Sequence, residues 1–124
     1  MNVVDSSGWL EYFSDGSNAS HFEKPLSDRQ QLIVPTISIY EVFKVLLREK
    51  DEVAALQGVA AMQGATVVDL TSALSLSAAA ISLKLSLPMA DSIILATAKS
   101  HEAVLWTQDV DFEGMAGVKY FPKK

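Results

Sequence analysis

Cysteine is absent from this chain of 124 residues. That excludes a disulfide framework, a thiol nucleophile and a thiolate zinc site. Histidine is nearly absent as well. His21 and His101 stand apart in the sequence, with no partner at ligand spacing, and read as surface or hydrogen-bonded residues. Positive charge is scarce: 10 Lys and Arg face 15 Asp and Glu, for a net charge of −5. A chain this acidic does not attract nucleic acid by bulk charge, so any such role must be local or borrow its positive charge from bound metal ions. No stretch reads as a membrane span. The most apolar one, Leu70 to Leu87, carries five serines and Lys84 and runs into Pro88. The first residues, Met1-Asn2-Val3-Val4-Asp5, have neither the basic region nor the apolar run of a secretion signal. Asn18-Ala19-Ser20 is therefore not expected to be glycosylated, and the cytoplasm is the expected compartment.

What is present is an ordinary globular composition, 49% hydrophobic, in one domain over residues 1–124 with no linker or repeat. Apolar patterning alternates between strand and helix. Asn2 to Asp5 reads as a first strand, Ser6 to Ser14 as a helix, and Asp15-Gly16-Ser17-Asn18 as a turn. Ala19 to Ser27 reads as a second helix, with Pro25 awkward inside it. Gln31 to Val34 is a second strand closed by Pro35. Ile37 to Lys50 and Asp51 to Gln63 follow as helices, the second closed by Gly64. Ala65 to Val68 is a third strand. Ser72 to Leu85 carries a one-face stripe of Leu74, Ala78, Ile81 and Leu85, and Pro88 opens a helix to about His101. Ala103 to Trp106 is the fourth strand, and Gly117 to Phe121 a short fifth one near the edge. Trp9 and Trp106 are expected in the core. Each crossover is long enough for a right-handed βαβ unit, so the pattern predicts a parallel sheet with helices on both faces. Ligands of such sheets bind beyond the C-terminal strand ends, where the strand order reverses.

Acids fall at those places. Asp5 ends the first strand and also suits an N-cap, a role worth about 1 kcal/mol. Glu41 lies near the start of the third helix, where Ser38 to Glu41 fits a capping box and Lys44 could pair with it. Asp91 lies in the first turn after Pro88, where it complements the helix dipole, yet its neighbours Met89, Ala90, Ile93, Ile94 and Leu95 are apolar. Asp109 and Asp111 follow the fourth strand, where Asp commonly holds a turn. Each acid alone has a structural explanation. Together, four βα elements each bring an acid to the expected crevice, without a histidine, cysteine or lysine placed for acid–base or nucleophilic work. An all-carboxylate set suits Mg²⁺ or Mn²⁺, ions that activate water and neutralise charge developing on a phosphodiester.

These residues resemble the PIN-domain nucleases, and among them the VapC-type toxins of bacterial toxin–antitoxin pairs. The resemblance spans nearly the whole chain. It rests on Val4-Asp5-Ser6-Ser7, on Pro35 to Glu41-Val42, on Asp91-Ser92-Ile93-Ile94-Leu95-Ala96-Thr97-Ala98, and on Thr107-Gln108-Asp109-Val110-Asp111-Phe112. It implies a compact three-layer α/β/α sandwich around a short parallel sheet, and a Mg²⁺- or Mn²⁺-dependent endoribonuclease leaving 5′-phosphate and 3′-hydroxyl ends. It implies that Asp5, Glu41, Asp91 and Asp109 hold the metal, with Asp111 a less constant fifth acid, and that the hydroxyls of Ser6 and Thr107 support the site. Within that set Asp111 is expected to hold the turn or orient water. The resemblance also implies a homodimer silenced by a small antitoxin that covers the site. The family more often has Thr at the position of Ser6, and Gly where His101-Glu102 stand. Lys44, Arg48 and Lys50, on the helix that carries Glu41, are the candidates to line an RNA path as phosphate contacts, or are solvated surface cations; Lys119, Lys123 and Lys124 cluster at the C-terminus. Two rival readings remain: a PIN-like domain that binds without cutting or serves RNA processing outside toxin–antitoxin pairs, and a receiver-like signalling module with Asp69 as phospho-acceptor.

Overall fold

The computed structural model describes all residues, 1–124. Five strands alternate with six helices: β1 (Asn2–Val4), α1 (Ser6–Phe13), α2 (Ala19–Ser27), β2 (Leu32–Pro35), α3 (Thr36–Glu49), α4 (Glu52–Gln63), β3 (Thr66–Val68), α5 (Ser72–Leu85), α6 (Met89–Ser100), β4 (Val104–Thr107) and β5 (Val118–Tyr120). Short 3₁₀ turns lie at Arg29–Gln31 and Val110–Phe112. All pairings are parallel and the spatial order is β3-β2-β1-β4-β5. The expected elements are present within a residue or two at each end. Pro25 lies in the last turn of α2, where it removes one i→i−4 bond just before the helix ends, and its ring is buried. No single helix is long and apolar enough to cross a membrane.

Consecutive strand residues face opposite layers, as the pleat requires. Val4, Val34 and Trp106 join Trp9, Phe22, Leu26, Val42 and Met62 in the core under α1 to α4. Val3, Ile33 and Leu105 join Leu87, Ile94, Leu95, Ala98 and Phe112 in the core under α6. Both faces of the central strands are thus buried, which is why β1, β2 and β4 read as continuous apolar runs rather than alternating ones. The fold is a three-layer α/β/α sandwich.

Gly8 shows how tightly α1 seats on the sheet. A Cβ there would lie 2.5 Å from a Val4 methyl carbon and 2.9 Å from the Phe22 ring, and both residues are fully buried. Neither can retreat without disturbing the core, so Gly8→Ala is expected to lose about 2–3 kcal/mol despite the gain in helix propensity. Chemical denaturation checks this; a neutral or stabilising result would mean the α1–sheet packing is looser than the distances imply.

The chain builds β1, β2 and β3 in one direction and then crosses back to place β4 on the other side of β1. The strand order therefore reverses between β1 and β4, and the crevice of a parallel sheet opens above the C-terminal ends of those two strands.

Candidate metal centre

Asp5 follows β1 directly, and its backbone N–H donates to the Trp106 carbonyl (3.1 Å), extending the β1–β4 ladder by one step. Its side chain is 2% exposed. One carboxylate oxygen accepts from the Gly8 N–H (3.0 Å) and the Ser7 hydroxyl (2.7 Å), and the other accepts from the Thr107 hydroxyl (2.6 Å). Asp5 is thus the α1 cap and a lining residue of the crevice at once; the two readings of this position are compatible. Thr107 is fully buried and its hydroxyl serves two acids, donating to Asp5 and accepting from the Asp109 N–H (2.9 Å).

Glu41 departs from the capping-box expectation. α3 begins earlier, with Pro35 at its cap, so Ser38 is buried inside the first turn instead of capping it. The Glu41 carboxylate reaches across to α1 and accepts from the Ser6 hydroxyl at 2.6 Å, 35 residues away in sequence. Lys44 does not pair with Glu41; its ammonium lies 5.6 Å from the centre of the Tyr40 ring.

Asp91 stands in the first turn of α6, and Asp109 and Asp111 follow β4. Carboxylate oxygens of these three lie within 4.8 Å of one another. Asp109 accepts from the Asp111 N–H (2.9 Å) and caps the 3₁₀ turn Val110–Phe112. The turn-holding role expected of Asp111 therefore falls to Asp109, and the exposed Asp111 carboxylate joins the cluster.

Asp5, Ser6, Ser7, Glu41, Asp91 and Asp109, with Leu10, Val45 and Ile94, line one cleft of about 220 Å³ that holds no basic side chain. The electrostatic consequence is large. Burial pushes the Asp91 carboxyl up to about 7, reinforced by the charges of Asp109, Asp5, Asp111 and Glu41, and no hydrogen bond offsets them. Burial also pushes Asp5 up to about 6, although the bonds from Thr107, Ser7 and Gly8 pull the other way. Acids gathered against their own repulsion, with oxygen ligands only and no cationic side chain, fit a hard divalent cation.

The remaining expected residues divide. Ser6 and Thr107 touch the acids they were expected to support. Arg48 pairs with its neighbour Glu49 at 3.3 Å on the surface. Lys50 lines a second hollow of about 300 Å³ between α1 and α3, together with Lys123 and Gln108; Ser7, Leu10 and Val45 are shared with the acidic cleft. Lys44 and Arg48, four apart, share one face of α3, while Lys50 lies just past its last residue. Asp69, the acceptor of the receiver-like reading, follows the edge strand β3 and takes no part in the cleft. Sequence reasoning missed Ser7, whose only signal was its place two residues after a strand-end acid.

The PIN-domain family profile matches residues 3–118, and the chain belongs to that family. A toxin–antitoxin complex from Klebsiella pneumoniae superposes with a TM-score of 0.83 at 22% identity, covering 98% of this chain and 99% of that one. The sarcin–ricin-loop-cleaving toxin VapC20 of Mycobacterium tuberculosis gives 0.74 at 13% identity, over 91% and 92%. The VapBC2 complex of Rickettsia felis, bound to a DNA fragment from its promoter, gives 0.75 at 10% identity, over 99% and 98%. Compared by sequence with curated proteins, the chain finds no match.

Proposed function

We propose that this protein is a Mg²⁺- or Mn²⁺-dependent endoribonuclease and the toxin of a toxin–antitoxin pair, assembling as a homodimer and silenced by a small antitoxin protein. The observation that carries the reading is the convergence of Asp5, Glu41, Asp91 and Asp109, from four separate βα elements, on one cleft without a cation. Family membership and the likeness to toxins of such pairs support it.

Asp5, Glu41, Asp91 and Asp109 would hold the ion, with Asp111 adjoining. When bound, a divalent cation supplies an activated water and positive charge opposite the phosphodiester. The chain's own residues keep the acids apart and aimed. Ser7, Gly8 and Thr107 occupy both oxygens of Asp5, Ser6 holds Glu41, and the Asp109 cap holds the turn that presents Asp111. At neutral pH Asp91 lies near its midpoint in the metal-free protein, so it is the group that gives up a proton as a cation enters.

Purified protein with Mn²⁺ or Mg²⁺ is expected to cut RNA internally, leaving 5′-phosphates, and to stop in EDTA. Asp109→Asn keeps an acceptor for the Asp111 N–H, so it should fold, yet cleavage should fall by more than about 100-fold. Expression of the wild type should arrest growth of a bacterial host, and this variant should not. Full activity in EDTA would overturn the metal assignment, and cleavage without growth arrest would overturn the toxin role.

A further inference from the structure

Asn18 occupies the position before α2 where asparagine ordinarily caps its own helix. It makes no such cap. The side chain is 1% exposed and reaches across the molecule: its amide nitrogen donates to the Gln108 side-chain oxygen (3.0 Å) and to the Pro122 carbonyl (3.0 Å), 90 and 104 residues away. The Pro122 carbonyl can only accept, so it fixes which end of the amide faces it. That orientation leaves the Asn18 oxygen buried without a partner, a real cost. Its backbone is anchored too, the Asn18 N–H donating to the Glu11 carboxylate (2.8 Å). Helix capping does not explain an asparagine here; its long-range contacts do.

What Asn18 grips is the segment that builds the acidic site. Gln108, 7% exposed, stands between Thr107, which bonds Asp5, and Asp109. The Gln108 N–H points at the Ser7 hydroxyl (3.4 Å), which itself donates to Asp5. The other segment held by Asn18 closes on the same strand end, since the Phe121 N–H donates to the Thr107 carbonyl (2.9 Å). Past Thr107 the segment leaves the sheet ladder, so side-chain bonds must hold it.

We propose that Asn18 is a positioning residue for the acidic site: through Gln108 it holds the Thr107–Asp109 segment, and so sets the separation of Asp5 and Asp109 that a divalent cation requires. This rests on the metal-centre reading above. Supporting residues that orient metal ligands commonly carry about 10–100-fold in metal affinity, and Asn18 acts one residue further out.

The test is Mn²⁺ titration of the metal-free protein by calorimetry, with cleavage kinetics alongside. Gln108→Met removes the acceptor while filling the same space and leaves the Asn18–Pro122 bond, so it remains informative even if Asn18→Ala fails to fold. Each folded variant is expected to bind Mn²⁺ about 5- to 10-fold more weakly and to lose kcat with little change in KM. The double variant should be no worse than the weaker single one, since both remove one contact. Unchanged Mn²⁺ affinity in folded Gln108→Met, or additive losses in the pair, would overturn the positioning role alone. Failure of the wild type to bind Mn²⁺ would overturn the metal centre and this inference with it.

Discussion

Asp91→Asn is expected to abolish RNA cleavage and, in the same stroke, to raise the melting temperature of the metal-free protein at pH 8. The two effects have one cause. Asp91 is half-buried among Asp109, Asp5, Asp111 and Glu41, and burial together with those charges lifts its carboxyl to about 7. At pH 8 the wild type must carry that charge against its neighbours. Asparagine keeps the shape and removes the repulsion. Solvent reaches Asp91, so the gain is discounted to about 1 kcal/mol, a rise of roughly 3–6 °C for a domain of this size. Loss of an acid from the ligand set should cost more than about 100-fold in rate. Differential scanning calorimetry and a fluorescent RNA assay read the two quantities. A destabilised metal-free Asp91→Asn would mean that the acid is structural, and an active one that it does not hold the ion.

The second large effect is the dependence of stability on pH, which should change sign with metal. In the metal-free protein Asp5 and Asp91 titrate at about 6 and about 7, above their ordinary value of 3.8. The folded state therefore binds more protons than the unfolded chain between these limits. The stability linked to that uptake is complete below about pH 4 and is lost as the pH rises through 6 and 7. For the buried Asp5 the shift corresponds to about 3 kcal/mol. The metal-free protein is thus expected to melt roughly 5–10 °C higher at pH 5 than at pH 8. Binding of Mn²⁺ needs the ionised acids, so its stabilisation should be large at pH 8 and small at pH 5. Thermal melts at the two pH values, with EDTA and with Mn²⁺, give the four numbers. If metal-free stability rose with pH instead, the raised carboxyls would be ruled out.

The legible part of the site was its membership. Asp5, Glu41, Asp91 and Asp109 could be picked out because each stands just past a strand or within the first two turns of a helix, positions that local patterning locates. Their support was less legible. Glu41 looked like half of a capping box because Ser38 sits three residues before it; in the fold Ser38 is buried within α3, and Ser6 of another helix holds the carboxylate. Asp109 took the turn-capping role expected of Asp111 while keeping its place in the cleft, because which of two acids caps a 3₁₀ turn depends on the path of the chain after Thr107. The surroundings of Lys44, Arg48 and Lys50 were not legible either: the ring of Tyr40, the carboxylate of Glu49 and the hollow beside Gln108 are partners that only the fold supplies.

By itself the sequence determined the alternation of strands and helices, their limits to within a residue or two, the burial of both sheet faces and the absence of any nitrogen or sulfur ligand set. Those properties follow from residue type and from periods of two and 3.6, which act over a few positions. Only the tertiary structure decided that β4 lies beside β1. No local pattern encodes which strand a later strand will join; long-range burial decides it. That pairing sets Thr107 against Asp5, 102 residues away, lets Asn18 reach Gln108, and turns four separate acids into one cleft.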